Sequence, residues 1–286
     1  MNGEEECPEA ARVAAEAVCG PDTRWKLLTN RRDSAVWHVA GASGDVAVKA
    51  GAGEQGAAIT GREAEALAAI EGPRTLFAHG SEGGAAWMVT AWHDGPTTWE
   101  ALHTAREAIR RSSAARVCLA DVCTAVARLH GAGWVHGDLQ PEHTLHTTDG
   151  VRLIDYSWAW HPTKLAPSPL FRGGPPHLLA PELARSIHDG VRPVAPTQTA
   201  EVYALAASLW RAITGDWPLD YAHASIEPGS LTASELREVI ATQQIALCKP
   251  DVWPDAQIIL RDAMVAPAGS RPTAAAMSEQ LRGLLD

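Results

Sequence analysis

The sequence predicts an α+β fold in two lobes: a small β-rich amino-terminal lobe with one helix, and a larger, mainly helical carboxy-terminal lobe. Three observations carry this. Short apolar runs at 25–29, 35–40, 45–50, 75–79 and 86–92 are separated by polar turns such as Ala42-Ser43-Gly44-Asp45 and read as strands. From residue 96 onward, apolar residues recur at helical rather than strand spacing. Between these stretches His93-Asp94-Gly95-Pro96 is a turn-forming linker. The boundaries read as 1–22 for an amino-terminal helical extension, 23–95 for the first lobe and 96–286 for the second.

The elements follow in order. Residues 8–19 are alanine-rich, begin at Pro8 and stop at Gly20-Pro21, as a helix does. The helix of the first lobe is expected over about 60–71, where alanine and glutamate favour it. In the second lobe Leu119, Val122, Val126 and Leu129 line one helix face, and Val202, Leu205, Leu209 and Ile213 line another, ended by Gly215 and Pro218. The proline-dense stretch from Pro162 to Pro181 reads as a long functional loop.

Composition narrows the possibilities. With 286 residues, 46% of them apolar, the chain can bury a substantial core. No run of about 18 uninterrupted apolar residues is present, which argues against a membrane span. The start, Met1-Asn2-Gly3-Glu4-Glu5-Glu6, is acidic and has no apolar signal core. Five cysteines without a C-x-x-C pair suit reduced thiols in the cytoplasm. A net charge of −10 argues against a nucleic-acid partner. The charge is compatible with a cationic substrate, though acidity also serves solubility alone. With 11 tryptophans against 2 phenylalanines and 3 tyrosines, tryptophan is expected to do core work.

Four segments carry chemistry, and their order matters more than any one of them. Lys49, one of four lysines, ends the apolar run Val46-Ala47-Val48-Lys49. Then come Val135-His136-Gly137-Asp138-Leu139-Gln140-Pro141-Glu142-His143 and Leu153-Ile154-Asp155-Tyr156-Ser157. Ala180-Pro181-Glu182 and Ser270-Arg271-Pro272-Thr273 complete the series. A strand lysine, two aspartates 17 residues apart and a Pro-Glu turn, in that order, resemble the protein-kinase-like superfamily over residues 25–283.

The resemblance implies a bilobed kinase-like fold that binds ATP and Mg²⁺. Lys49 would reach the phosphates and pair with a glutamate of the next helix. Glu63 and Glu65 both compete, and Glu63 is preferred because Leu67 lies four residues on, on the same face. Val36 and Ala47 on one side and Leu145 on the other would enclose adenine, and the backbone of Ala91, Trp92 and His93 would supply hinge hydrogen bonds. Asp138 would be the catalytic base, and Asp155 a metal ligand suited to a hard cation. An isolated aspartate after a strand is ordinarily a cap or turn former; two, each in its own motif, are not.

The pattern also breaks. Thr29 to Val36 replaces the glycine-rich loop, with Ser34 adding a hydroxyl donor for phosphate, which resembles the serine-containing loop of aminoglycoside-phosphotransferase-like enzymes. His143 stands where the family places a metal-binding asparagine, so it would either tolerate a weak second metal or touch phosphate itself. Gln140 replaces the catalytic-loop lysine and can donate without bringing charge. Gly137 replaces the arginine that docks a phosphorylated activation loop, so no phospho-switch at Thr163 or Ser168 is expected. Glu182 and Arg271 are expected to form a buried ion pair, and Glu201 stands for the aspartate of the central helix. Three functional readings follow. The first is a kinase for Ser/Thr of a protein or peptide, including a maturation enzyme for a peptide natural product. The second is a small-molecule kinase for an antibiotic-like hydroxyl substrate. The third is a pseudokinase.

Overall fold

Five antiparallel strands form a sheet in the order β1-β2-β3-β5-β4, built from β1 (Arg24–Arg31), β2 (Ser34–Gly41), β3 (Gly44–Ala52), β4 (Leu76–Glu82) and β5 (Ala85–Ala91). The computed structural model describes residues 7–31, 33–103, 106 and 113–285. Alternation along β2 and β3 sends Trp37, Val39, Val46 and Val48 to one face, where all are fully buried. That face is covered by α1 (Glu9–Cys19), whose Ala11, Ala15 and Cys19 pack against the strand tryptophans and valines. Small side chains let the helix backbone come close to the sheet. The opposite face presents Val36, His38, Ala47 and Lys49, in which Val36 pairs with Lys49 and His38 with Ala47 across the ladder.

On this second side lies α2 (Gly53–Ile70), packed on β3, β4 and β5. It begins seven residues before the expected start at 60. Gly53, Gly56 and Gly61 weaken the helical signal, yet the packing calls for glycine. A Cβ on Gly56 would stand 2.5 Å from the Asp33 carbonyl oxygen, and one on Gly51 would strike the Gly56 carbonyl and the Thr60 hydroxyl. The expected loop over Thr29–Val36 is a hairpin instead. Thr29, Asn30 and Arg31 continue β1 and pair with Val36, Ala35 and Ser34.

The chain divides into two compact units: residues up to His93 with Tyr156–Ala159, and Asp94–Asp155 with the rest from Trp160. The second unit is helical, as the periodicity predicts. It contains α3 (Thr98–Ala101), α4 (Ser113–Gly131), α5 (Pro181–His188), α6 (Gln198–Thr214), α7 (Ala233–Ala241), α8 (Pro254–Val265) and α9 (Ala274–Arg282). A hairpin of β6 (Thr144–Thr147) and β7 (Gly150–Leu153) accompanies them. The predicted apolar faces of α4 and α6 are buried, and α4 packs on α9 through Ser278, which donates to the Ala120 carbonyl and shares a 2.8 Å hydrogen bond with Thr124. Trp134 and Trp210 are fully buried in this unit, consistent with tryptophan as a core residue. Among the described residues no helix is long and apolar enough to cross a membrane.

In a solvent-exposed helix, Gly→Ala stabilises by about 1 kcal/mol. For Gly56→Ala we expect the reverse, a loss of about 1–3 kcal/mol, because the added methyl meets fixed backbone. Urea unfolding of the variant checks this, and a stabilised variant would contradict the close approach of α2 to the Asp33 turn.

Candidate active site

In the first unit, β3 carries Lys49 and α2 carries Glu63, and the two meet with Nζ 2.5 Å from Oε2. Glu65 is exposed, whereas the Glu63 side chain is only 5% accessible. A carboxylate so deeply buried is tolerable only when paired. Ser157 closes a triangle. Its hydroxyl donates to Glu63 Oε2 at 2.8 Å and accepts from Lys49 Nζ at 3.3 Å. Nearby, Arg62 donates to the Ala159 carbonyl at 2.7 Å, fixing the strand of chain that bears Ser157. Sequence reasoning assigned Ser157 no part, because a hydroxyl beside a motif has no spacing that marks it.

The same face of the sheet holds a histidine that sequence reasoning also passed over. His38 stacks on Trp92 at 3.9 Å between ring centroids and bonds Asp45 at 2.7 Å. At the end of β5 the expected hinge amides are already engaged: Ala91 N–H donates to Thr75 and Trp92 N–H to Asp45. Hydrogen bonding to adenine from these two residues would therefore fall to their carbonyls. Ser34 sits half-buried at the hairpin end, paired with Gly51. Val36 and Ala47 are half-buried neighbours of Lys49 on the open face.

In the second unit the loop 135–143 is held from below by Glu201 of α6. This buried carboxylate accepts from the backbone N–H of His136 at 3.0 Å and of Gly137 at 2.6 Å, and it bonds His130 Nε2 at 2.8 Å. Burial alone would raise its pKa, but the hydrogen bond and charge of His130, with His136 and the Gly137 amide, outweigh that and lower it. Gly137 has φ +84°, a conformation in which the arginine of the family pattern would be strained. His136 is fully buried; its Nε2 donates to the Ile154 carbonyl and its Nδ1 accepts from Asp138 N–H.

Asp138 and Asp155 flank His143. The His143 Nδ1 donates to the Asp138 backbone carbonyl at 2.8 Å, which in the neutral ring leaves the Nε2 lone pair facing Asp155 Oδ2 at 3.7 Å. Either a proton on Nε2 or a bound cation relieves two electron-pair donors that face one another. Mg²⁺ bound by one or two protein groups and completed by nucleotide phosphates fits this donor set, with Asp155 the preferred oxygen ligand. Among the described residues no cluster of three or more His, Cys, Asp or Glu could hold a metal unaided. Asp155 adopts φ +63°, a left-handed conformation that re-aims its carboxylate at a sharp bend. Gln140, expected to donate toward phosphate, instead donates from Nε2 to Asp138 Oδ1 at 2.9 Å. Leu145 lies half-buried in β6.

One further approach defines the surroundings of Asp138. A Cβ on Gly174 would collide with its Oδ1, so the chain before Pro175 passes directly over this carboxylate. His177 stacks on Trp217 at 4.2 Å and bonds the Tyr221 hydroxyl at 2.7 Å, while Arg211 lies over both Trp99 and Trp217. Glu182 and Arg271 form the expected bidentate pair, but it is not fully buried: Arg271 is 3% accessible and Glu182 40%. Solvent at the glutamate screens the pair, so breaking it should cost nearer 1.5–3 kcal/mol than the about 3–5 kcal/mol of a fully buried one.

No family model matches the chain. Curated relatives do. The serine/threonine-protein kinase AfsK of Streptomyces griseus is 30% identical over 161 residues, 55% of this chain and 19% of AfsK. PkaB of Streptomyces coelicolor, also a serine/threonine-protein kinase, is 27% identical over 197 residues, 63% of this chain and 42% of PkaB. A probable cAMP-dependent protein kinase catalytic subunit of Encephalitozoon cuniculi is 28% identical over 105 residues, 36% of this chain and 30% of that one. The match thus spans less than half the length of each of these relatives. An α+β architecture with this order of sheet and helices is consistent with a kinase-like fold. Over the matched stretches the chain is similar to serine/threonine-protein kinases, which supports a protein-kinase-like assignment.

Buried histidines make the second unit acid-sensitive. Burial, then the charge of Arg211, pushes the His177 pKa down to about 4 from 6.5, and burial lowers those of His136 and His146. A histidine whose folded pKa is depressed binds its proton first in the unfolded chain, so stability falls as pH drops from about 6.5 toward 4. Allowing for solvent screening at half-exposed His177, its share is about 1–2 kcal/mol. His177→Phe keeps the stack on Trp217 and should flatten the decline in urea-unfolding free energy between pH 7 and pH 5. An unchanged slope would remove His177 from the account.

Proposed function

We propose that this chain transfers the γ-phosphoryl group of ATP to a serine or threonine hydroxyl of a protein or peptide. The observation that carries the reading is the fixed Asp138 carboxylate. Glu201 pins its loop, Gln140 donates to one oxygen, and the backbone at Gly174 passes over it. Gly174-Pro175-Pro176-His177 then leads into α5, so Asp138 adjoins the start of this segment within one unit. The printed names of the relatives, serine/threonine-protein kinases, support the same acceptor class.

Each residue has a role in this reading. Lys49, held by Glu63 and Ser157, neutralises phosphate charge. Val36 and Ala47 provide apolar surface for the adenine ring, and Ser34 a hydroxyl for phosphate. Asp155 would hold Mg²⁺ through its carboxylate, with His143 beside it, and the metal would withdraw charge from the phosphate oxygens. Asp138 orients the acceptor hydroxyl and takes its proton, and Gln140 sets the rotamer of that carboxylate. Among the described residues the five cysteines form no disulfide, and we place the protein in the cytoplasm, where thiols stay reduced. A peptide destined for maturation into a natural product belongs to the same acceptor class.

The segment after Asp155 is fastened without phosphate. Trp160 pairs with Val135, its indole donates to the Pro196 carbonyl, and His161 pairs with Leu165. Ser168 is buried and bonded locally, and Thr163 is exposed. Thr163→Glu should therefore change the rate of phosphoryl transfer by less than about twofold, and a many-fold rise would restore a phospho-switch.

The reading is tested by thermal unfolding with ATP, with and without Mg²⁺, alongside labelled-phosphate transfer to a mixed serine/threonine peptide library. At about 100 times its Kd, ATP should stabilise the protein by roughly 2.7 kcal/mol, and Asp155→Ala should abolish the part that needs Mg²⁺. Asp138→Asn should keep the nucleotide shift and lower turnover by about 10²–10⁴-fold. Absence of any nucleotide shift, or full turnover in Asp138→Asn, would overturn the assignment. A pseudokinase would give the shift without transfer.

A further inference from the structure

The chain carries a formal charge of −10, yet three of its arginines gather without an acid. Arg172 lies just before Gly173-Gly174, and Arg237 of α7 donates from Nη1 to the Arg172 carbonyl at 3.3 Å. Arg172 Nη1 donates to the carbonyls of Pro169 and Phe171, and Arg192 Nη1 to that of Val191. Backbone carbonyls are thus the partners of all three guanidinium groups, and none forms an ion pair among the described residues. Burial lowers the Arg237 pKa, and the charges of Arg192 and Arg172 lower it further, which places both within electrostatic reach of Arg237. Arg172 and Arg192 are exposed, and Arg237 is half-buried.

Like charges held together are unfavourable unless an anion relieves them, and arginine presents a planar fork suited to carboxylate or phosphate. The scaffold around the cluster is fixed. α5 packs on α7, and the turn after α5 returns through Val191 N–H, which donates to Ser186. Location then gives the cluster its meaning. Gly174 passes over Asp138, and Arg172 is two residues away, about 7 Å of extended chain. An acceptor hydroxyl at Asp138 would bring its near neighbours in the peptide to these guanidinium groups.

We propose that Arg172, Arg192 and Arg237 recognise anionic side chains of the peptide acceptor within about three residues of the phosphorylated hydroxyl. The kinase is therefore acid-directed, despite its own acidic charge. This rests on the peptide-kinase reading given above and adds its substrate class. Carboxylates and phosphoryl groups share the required chemistry.

The test uses four serine peptides of one length, whose flanking residues are Asp/Glu, Asn/Gln, Lys or phosphoserine. Initial rates with ATP and Mg²⁺ should give a KM about tenfold lower for an anionic peptide than for the Asn/Gln peptide, with kcat unchanged. The Asp/Glu and phosphoserine arms separate carboxylate from phosphoryl recognition. Arg172→Glu with Arg237→Glu should raise KM for the anionic peptide about tenfold and lower it for the Lys peptide, a reversal that a merely structural role would not produce. Equal KM across the peptides, or no reversal, overturns the proposal while leaving the kinase reading intact. If no peptide is phosphorylated, fluorescence anisotropy of the same four decides. Anion-selective binding lost in R172E/R237E sustains the arginine site and rejects the transferase, whereas charge-independent or absent binding rejects the arginine site.

Discussion

The second unit depends on one carboxylate. Glu201 is enclosed by protein and gathers two consecutive backbone amides and an imidazole on its two oxygens. It organises what lies above it. Fixing the amides of His136 and Gly137 fixes the left-handed turn at Gly137. That turn presents Asp138, and the Asp138 carbonyl in turn fixes the tautomer of His143. Ser208 of the same helix donates to the Leu139 carbonyl, so α6 supports the loop at two points. A glutamate reaches one methylene further than the aspartate of the family pattern, and here the longer arm still spans the distance from helix to loop.

The two charged groupings follow opposite strategies. Lys49, Glu63 and Ser157 neutralise one another within the first unit, so little net charge is desolvated. Around His143 the grouping is more open to water: an imidazole nitrogen faces an aspartate whose side chain remains 35% accessible. A desolvated pair serves as framework, whereas a solvent-accessible one is open to a ligand.

Much of the fold was legible in the sequence, because alternation and helical periodicity report directly on which faces are buried. The five strands and the faces of α4 and α6 follow from them. The contact between Lys49 and Glu63 was legible from a strand lysine and the position of Leu67 one turn after Glu63. The start of α2 was not, since glycines chosen for close packing against Asp33 and β3 mimic a turn. Gln140 was read as an uncharged donor, but its bond to Asp138 depends on a rotamer that no sequence pattern specifies. The Ser157 bond, the His38–Trp92 stack and the arginine cluster join residues far apart in the chain, and no local pattern announces them. His143 was recognised as a departure, but only the carbonyl bonded to its Nδ1 gives the departure a chemical direction.

The helix α1 bears on where this unit begins. It was read as an extension ahead of the first strand, yet its alanines and Cys19 seal the buried face of Trp37, Val39, Val46 and Val48. The Ala10 amide is tied to Glu82, and Ser43 to the Cys19 carbonyl. Gly41 leaves room for the helix end, since a side chain there would meet Cys19. A proteolytic cut or an expression boundary just ahead of Trp25 would therefore bare a greasy, tryptophan-lined sheet to water. The smallest piece of this unit that can stay monodisperse includes α1.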